Sequence, residues 1–198
     1  MREMMARLLD AYREYFHAVR ESYLRSDNEL AVELDKARHE GRLARSNLEA
    51  SVDRFNAEPR SGTDPEGAWT GILATSHRLI HSVMALEAGL TGSTPAAARP
   101  EFRTFSNEVE VTLHSLAGAL RGSPLTQFEL PDLRDLHHAL TRAGDSVTER
   151  YALVNIETDR LTNSLNTLSE QVLSMLASGA APQEALNPTT SRPAQGAP

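Results

Sequence analysis

The stretch "VTERYALVNIETDRLTNSLNTLSEQVLSM" (147–175) places apolar or small residues at alternating intervals of four and three. The positions of this seam are Val147, Tyr151, Val154, Thr158, Leu161, Leu165, Leu168, Val172 and Met175. A heptad spacing kept for about four heptads is typical of a helix that packs lengthwise against other helices. At 1.5 Å per residue this helix would be about 43 Å long. The seam therefore predicts a long helix as the central element of the fold.

The rest of the chain also has helical periodicity, with apolar residues repeating at threes and fours. Five further helices are predicted: one through Met5–Tyr23, one ending near Ala57, one at 66–90, one at 101–121 and one beginning near Leu133. No comparable strand pattern is present. The pattern predicts an all-α fold, an elongated bundle of about five or six long helices.

The helical pattern ends near Ser178. Residues 179–198 are rich in Pro, Ala, Ser and Thr and have no periodicity, a composition that cannot bury enough apolar surface to become ordered. We therefore predict one helical domain at 1–178 and a disordered tail at 179–198.

Composition excludes several classes of protein. The 198 residues contain no cysteine, so a disulfide framework, a thiolate zinc site and a catalytic thiol are excluded. The net charge of −7 argues against a nucleic-acid partner, because such affinity depends on cationic contacts to phosphates. No stretch approaches the roughly 20 apolar residues of a membrane span, and no secretory leader is recognisable. We expect a soluble polypeptide that is not secreted.

Histidine pairs are the only candidates for a metal site. His77 and His81 lie four residues apart and would share one helix face, but the stretch lacks the glutamate of the zinc-peptidase motif. His137 and His138 are adjacent, so their side chains point about 100° apart on a helix. Neither a glycine-rich phosphate loop nor a nucleophile elbow is present. The sequence predicts no catalytic residue, no cofactor and no metal, and hence a protein that is not an enzyme.

A charged band borders the apolar stripe of the second helix. At 100° per residue, Arg38, Arg42, Arg45 and Glu49 fall within about 60° of one another. The band can be a solvated face with a weak Arg45–Glu49 pair, or a docking surface for another helix, a subunit or an acidic ligand.

Glu87 occupies an unusual position in the third helix. It shares an angular sector with Trp69, Ile80 and Val83, near the middle of the apolar stripe. A carboxylate there needs a cation, a raised pKa or access to water. We predict that an arginine from another helix pairs with Glu87, with Arg45 and Arg160 as the candidates, and a solvated helix end remains the alternative.

Three segments resemble the cytoplasmic domain of the fusaric-acid-resistance (FUSC-type) family of inner-membrane proteins, which includes aromatic acid exporters. They are "ARSNLEASVDRFNAEP" (44–59), "SHRLIHSVMALEAGL" (76–90) and "ETDRLTNSLNTLSEQV" (157–172). The likeness extends in order over about 30–178. Candidate interaction or structural residues are Arg54, His77, Arg78, His81, Glu87, Glu157, Asp159, Arg160 and Asn163, together with the charged band.

The resemblance implies a cytosol-facing domain on the inner membrane that organises the assembly or gates access through helix–helix contacts. Family members have transmembrane helices beside this domain, and the present chain has none, so it is expected to be a fragment or a stand-alone relative. Its expected partners are a second copy or a transmembrane domain of the same family, and it would reach the membrane only through a missing or partner segment. The alternative is a cytoplasmic helical adaptor that docks a protein on Arg38, Arg42 and Arg45.

Overall fold

A computed structural model describes residues 1–25, 30–57, 66–90, 100–142 and 149–179. Its α-helices are α1 (Arg2–Leu24), α2 (Leu30–Ala57), α3 (Glu66–Ala88), α4 (Pro100–Leu120), α5 (Leu133–Arg142) and α6 (Glu149–Gly179), with a short 3₁₀ turn at Gln127–Glu129. Of the described residues, 91% are helical and none is in a strand, which confirms the predicted all-α fold. The predicted tail lies outside the described residues, apart from Gly179 at the end of α6.

Two helix pairs, α1–α2 and α3–α6, make the most extensive contacts. α1 also packs against α4 and more lightly against α3, while α5 packs against α4 and α6. α2 packs closely only against α1 among the described elements, so it lies at the edge of the bundle. In those described ranges, no helix combines the length and apolar character that a membrane span requires.

The α6 seam is buried, as the heptad spacing predicts. Its described members are between 0% and 7% exposed: Val154, Thr158, Leu161, Leu165, Leu168, Val172 and Met175. Val147 and the side chain of Tyr151 lie outside the described residues. Thr158 fits this apolar seam because its hydroxyl donates to the carbonyl of Val154, one turn earlier, and so has a partner within its own helix.

α1 and α4 supply the other half of the core. The predicted stripe of α1 is buried along its whole length, from Met5 to Tyr23. The predicted stripe of α4, which begins at Phe102 and ends at Leu120, is buried as well. Burial of each large apolar side chain stabilises the fold by roughly 1.5–3 kcal/mol, and burial of the two stripes holds α1 and α4 together.

α4 ends at a glycine in a left-handed conformation. Gly122 has a φ of +103°. Its N–H donates to the carbonyl of Ala119, and the N–H of Ser123 donates to that of Gly118, each at 3.0 Å. These bonds form a Schellman motif, which satisfies the last carbonyls of the helix and turns the chain away from its axis.

Both extensively packed helix pairs are antiparallel. In α1–α2, Gly41 lies beside Tyr12, and a Cβ at position 41 would be 3.8 Å from that ring. In α3–α6, position 71 lies beside Gln171, whereas position 89, just after α3, lies beside Leu153. A Cβ at position 89 would lie 2.4 Å from Leu153 Cδ2, so a larger residue there would require the Leu153 side chain to move.

The α6 register can be tested by truncating its seam. Leu161→Ala and Leu165→Ala should each lower the free energy of unfolding by about 2–5 kcal/mol, because each removes a fully buried side chain. Asn166→Ala, at an exposed position of the same helix, should change it by less than about 0.5 kcal/mol. Urea unfolding followed by circular dichroism measures all three. Equal losses in the three variants would contradict the register.

Candidate functional site

Three helices meet at a carboxylate on α3. Glu87 accepts hydrogen bonds from the Arg38 guanidinium of α2, through Nη2 to Oε1 and through Nε to Oε2, the latter at 3.2 Å. The Tyr15 hydroxyl of α1 donates to Oε2. The Glu87 and Arg38 side chains are 17% and 31% exposed, so water only partly screens the pair. We call Tyr15, Arg38 and Glu87 the three-helix clamp.

The clamp confirms that an arginine from another helix pairs with Glu87, but the predicted arginine was wrong. Arg45 lies 3.6 Å from Glu49 of its own helix, and Arg160 donates to Glu157 at 2.7 Å. Arg38 and Arg45 are seven residues apart, which separates them by about 10 Å along the helix axis. The register of α2 on α1 therefore decides which of them reaches Glu87.

Burial and charge both act on the clamp. The hydrogen bond from Arg38 to Glu87 raises the pKa of the guanidinium. The pKa of Tyr15 is also raised, first by burial and then by its hydrogen bond to the Glu87 carboxylate. Beside it, burial raises the pKa of Tyr12, whose hydroxyl has no hydrogen-bond partner among the described residues. Both phenols therefore stay protonated at neutral pH.

The charged band of α2 is largely used within the molecule. Arg38 binds Glu87 and also donates to Asp35 at 3.0 Å. Glu49 Oε1 lies 3.6 Å from Arg45 and 3.1 Å from His77 Nε2 of α3. The His77 contact does not have the geometry of a hydrogen bond. Arg42 is exposed, with no acid within 4 Å in the described part of the chain.

Arg54 lies further along α2, away from the clamp. Its Nε donates to the carbonyl of Ala50 at 3.1 Å, and its side chain is exposed. A cation in the last turn of a helix, bonded to a carbonyl of that helix, stabilises the negative end of the helix dipole. Arg54 therefore has a local structural contact and is not brought to the other candidate residues.

A polar groove lies between α3 and α6, with a cavity volume of about 410 Å³. Five predicted residues line it: Arg78 and His81 from α3, and Glu157, Arg160 and Asn163 from α6. Glu157 is 3% exposed, and its Oε1 accepts a hydrogen bond from Arg160. Its Oε2 is buried without a hydrogen-bond partner among the described residues. The fold thus gathers these residues around an incompletely paired carboxylate.

Asp159 and Asn163 also join α6 to α5. Arg134 Nη1 lies 2.5 Å from Asp159 Oδ1, and Nη2 of the same guanidinium donates to Asn163 Oδ1. Asn163 in turn donates to Asp159 at 3.1 Å. These partly exposed contacts position the short helix α5, so Asp159 has a structural role.

A second cluster of ion pairs, between α1 and α4, was not predicted from the sequence. Arg20 is 9% exposed and lies 2.9 Å from Glu110, which His17 approaches at 3.1 Å. Arg20 borders the apolar stripe of α1, one turn after Phe16. The criterion that identified Glu87 was a charged residue on or beside an apolar stripe. The same criterion would have identified Arg20.

The histidines do not form a metal site in the described residues. His77 faces Glu49 of α2, whereas His81 lines the groove with α6. No three His, Asp or Glu side chains converge there in a way that could hold a metal ion. His137 is 7% exposed, and its Nε2 lies 3.1 Å from the carbonyl of Asn155, a contact that joins α5 to α6.

Comparison with known proteins adds no relative: no family model matches the chain, and no curated protein or solved structure matches it. The FUSC-type resemblance therefore rests on the three sequence segments alone. The absence of catalytic activity stays a prediction.

Removing the carboxylate should test the clamp. Glu87→Gln should lower the free energy of unfolding by about 1–3 kcal/mol at pH 7, because it removes a charge-assisted pair that is largely shielded from water. Asp35→Asn is the matched control, since Asp35 binds the same arginine but is 77% exposed, and it should cost at most about 1 kcal/mol. Urea unfolding gives both values. Equal effects of the two substitutions would contradict the clamp.

The two buried phenols should make the protein sensitive to alkali. The folded state keeps these protons above pH 10, where an unfolded tyrosine loses them, so their contribution is complete below about pH 10 and falls above it. Above pH 10, each buried phenol should lower the free energy of unfolding by about 1.4 kcal/mol for every further pH unit. Tyr12→Phe should therefore gain stability relative to the wild type as the pH rises from 10 to 11, measured by urea midpoints. A difference that does not change with pH would count against this account.

Proposed function

We propose that the chain is the cytosol-facing helical domain of a FUSC-type inner-membrane exporter of aromatic or organic acids. It would lie on the cytoplasmic side of the inner membrane and act in scaffolding, assembly or gating, without catalysis. The observation that carries the proposal is spatial. The second and third segments that resemble the family, 76–90 and 157–172, lie on the paired helices α3 and α6, and the first segment, 44–59, reaches the second through a side-chain contact.

Candidate residues lie at both of these junctions. Glu49 of the first segment lies 3.1 Å from His77 of the second. His81 of the second segment and Asn163 of the third line the same groove. Segments that resemble one family in sequence and also adjoin in the fold are expected of a shared domain, whereas a chance likeness would have no reason to cluster.

Self-association through α2 suits an assembly role. Val32 and Leu43 are 77% and 55% exposed, and their spacing of eleven residues places both on one face of this edge helix. A two-fold axis near the middle of that face would set Val32 against Leu43 of a second copy, with Lys36 of one copy near Glu40 of the other. Such a contact is isologous, as closed dimers require. We therefore propose a second copy as its occupant.

The stand-alone adaptor is less well supported. Its docking surface would be Arg38, Arg42 and Arg45, and two of these already have acidic partners in the same chain. A protein docking there would have to compete with Glu87 and Glu49, or bind through Arg42 alone.

Cell fractionation with an efflux assay tests the exporter proposal. The native gene should be tagged in its chromosome, and the tagged product should sediment with inner membranes and stay there in high salt. Deletion of the gene should raise the accumulation of a labelled aromatic carboxylic acid, and the native gene should reverse this. A product that remains in the soluble fraction, with unchanged accumulation on deletion, would overturn the proposal and favour the adaptor.

Charge placed on the α2 face tests self-association. Leu43→Arg should shift the chain from dimer to monomer in light scattering after size exclusion, because it sets a charged guanidinium against the apolar Val32 of the second copy. Ile156→Arg is the matched control, since Ile156 is 51% exposed on α6, and it should leave the dimer intact. Neither substitution should move the melting temperature by more than a few degrees. A wild-type chain that is monomeric at high micromolar concentration would exclude this contact.

A further inference from the structure

The groove between α3 and α6 contains an acid that the protein itself only half satisfies. Glu157 is 3% exposed, yet among the described residues only Oε1 has a partner, the Arg160 guanidinium. Arg160 is 64% exposed, so water screens this bond and the side chain can move aside. A buried carboxylate oxygen without a donor is costly, and a ligand that brings a donor would remove that cost.

The opposite wall supplies donors that have no anion. Arg78 is exposed and held in place by a hydrogen bond from Nη2 to the hydroxyl of Thr75, at 2.9 Å. Within the described ranges no carboxylate lies within 4 Å of its guanidinium. His81, one turn away on the same helix, also lines the groove and can donate from its imidazole. This wall therefore offers a fork of N–H donors of the kind that binds carboxylates.

We propose that this groove binds a small zwitterion of the α-amino acid class. The ligand's ammonium group lies at Glu157, and its carboxylate lies at Arg78 and His81. The cavity of about 410 Å³ is within the range of small-molecule sites and has room for a side chain. The buried hydroxyl-bearing residues Ser82 and Ser164 also line it, so the floor suits a polar ligand.

Ligands with a single charge fit the groove less well. A simple anion would satisfy Arg78 and leave the Glu157 oxygen unpaired, and it would be repelled by that carboxylate. A simple amine would satisfy Glu157 and place a third cation beside Arg78 and Arg160. Only a ligand with both charges pairs both walls at once. This inference does not depend on the exporter proposal, because it concerns the groove alone.

Calorimetric titration of the full chain with the twenty amino acids, one at a time, tests the inference. At least one should bind with a dissociation constant in the micromolar to millimolar range and raise the melting temperature as its concentration rises. The matched analogues are the same compound without its amino group and the same compound without its carboxylate. Each should bind at least tenfold more weakly, because it leaves one wall unpaired.

Two substitutions and two controls locate the site. Glu157→Gln and Arg78→Gln should each weaken binding at least tenfold. Glu170→Gln, at an exposed acid of α6, and Arg103→Gln, at an exposed arginine of α4, should leave it unchanged. Arg78 is exposed, so its replacement keeps the test valid even if Glu157→Gln impairs folding.

Several outcomes would overturn the proposal. One is that no amino acid binds at 10 mM. Another is that a single-charge analogue binds as tightly as the zwitterion, which would assign the groove to a simple anion or amine. A third is that Arg78→Gln and Arg103→Gln bind equally well, which would place the binding elsewhere. Unchanged accumulation on deletion of the gene, with amino-acid binding intact, would refute the exporter proposal and leave this one standing.

Discussion

The bond between Arg38 and Glu87 fixes the arrangement of the edge helix. Among the described elements, α2 packs closely only against α1, and a helix held along one face can roll about that contact. The clamp opposes this rolling, because it ties α2 to α3 while Tyr15 closes the triangle from α1. Glu87 also sits in the last turn of α3, where the helix dipole disfavours a negative charge. The end of α3 therefore needs α2 in place, and the two elements stabilise each other.

The sequence predicted the helices well, because each apolar stripe is a local property of its own segment. The register between helices is not local. The spacing around Glu87 indicated that a cation must come from another helix, but Arg45 was chosen over Arg38. Which arginine reaches Glu87 depends on how Gly41 fits beside Tyr12, and therefore on the packing of α2 against α1. The groove was missed as a site for the same reason: Arg78 and Glu157 lie far apart in the chain, and only the antiparallel pairing of α3 with α6 brings them together.

α3 links the two sites of the molecule. Glu87 anchors its last turn to α1 and α2, while Arg78 and His81, about two turns earlier, face α6. The clamp is bidentate and largely shielded, so it holds its end of α3 in one geometry. The groove is more exposed and has an unpaired oxygen. A ligand there would act on a helix already fixed at its far end, so binding would adjust α6 against α3 more readily than α3 against α2.

The hydroxyl groups buried along α3 and α6 have a mechanical consequence. Ser76, Thr158, Thr162 and Ser169 each donate to a carbonyl of their own helix. Because each hydroxyl proton is already donated within its own helix, these side chains contact a neighbouring helix through van der Waals packing. Such contacts resist separation, but unlike a bidentate ion pair they add no directional bond between the helices. At these points a slide of α6 along α3 by a fraction of a helical turn breaks no directional bond.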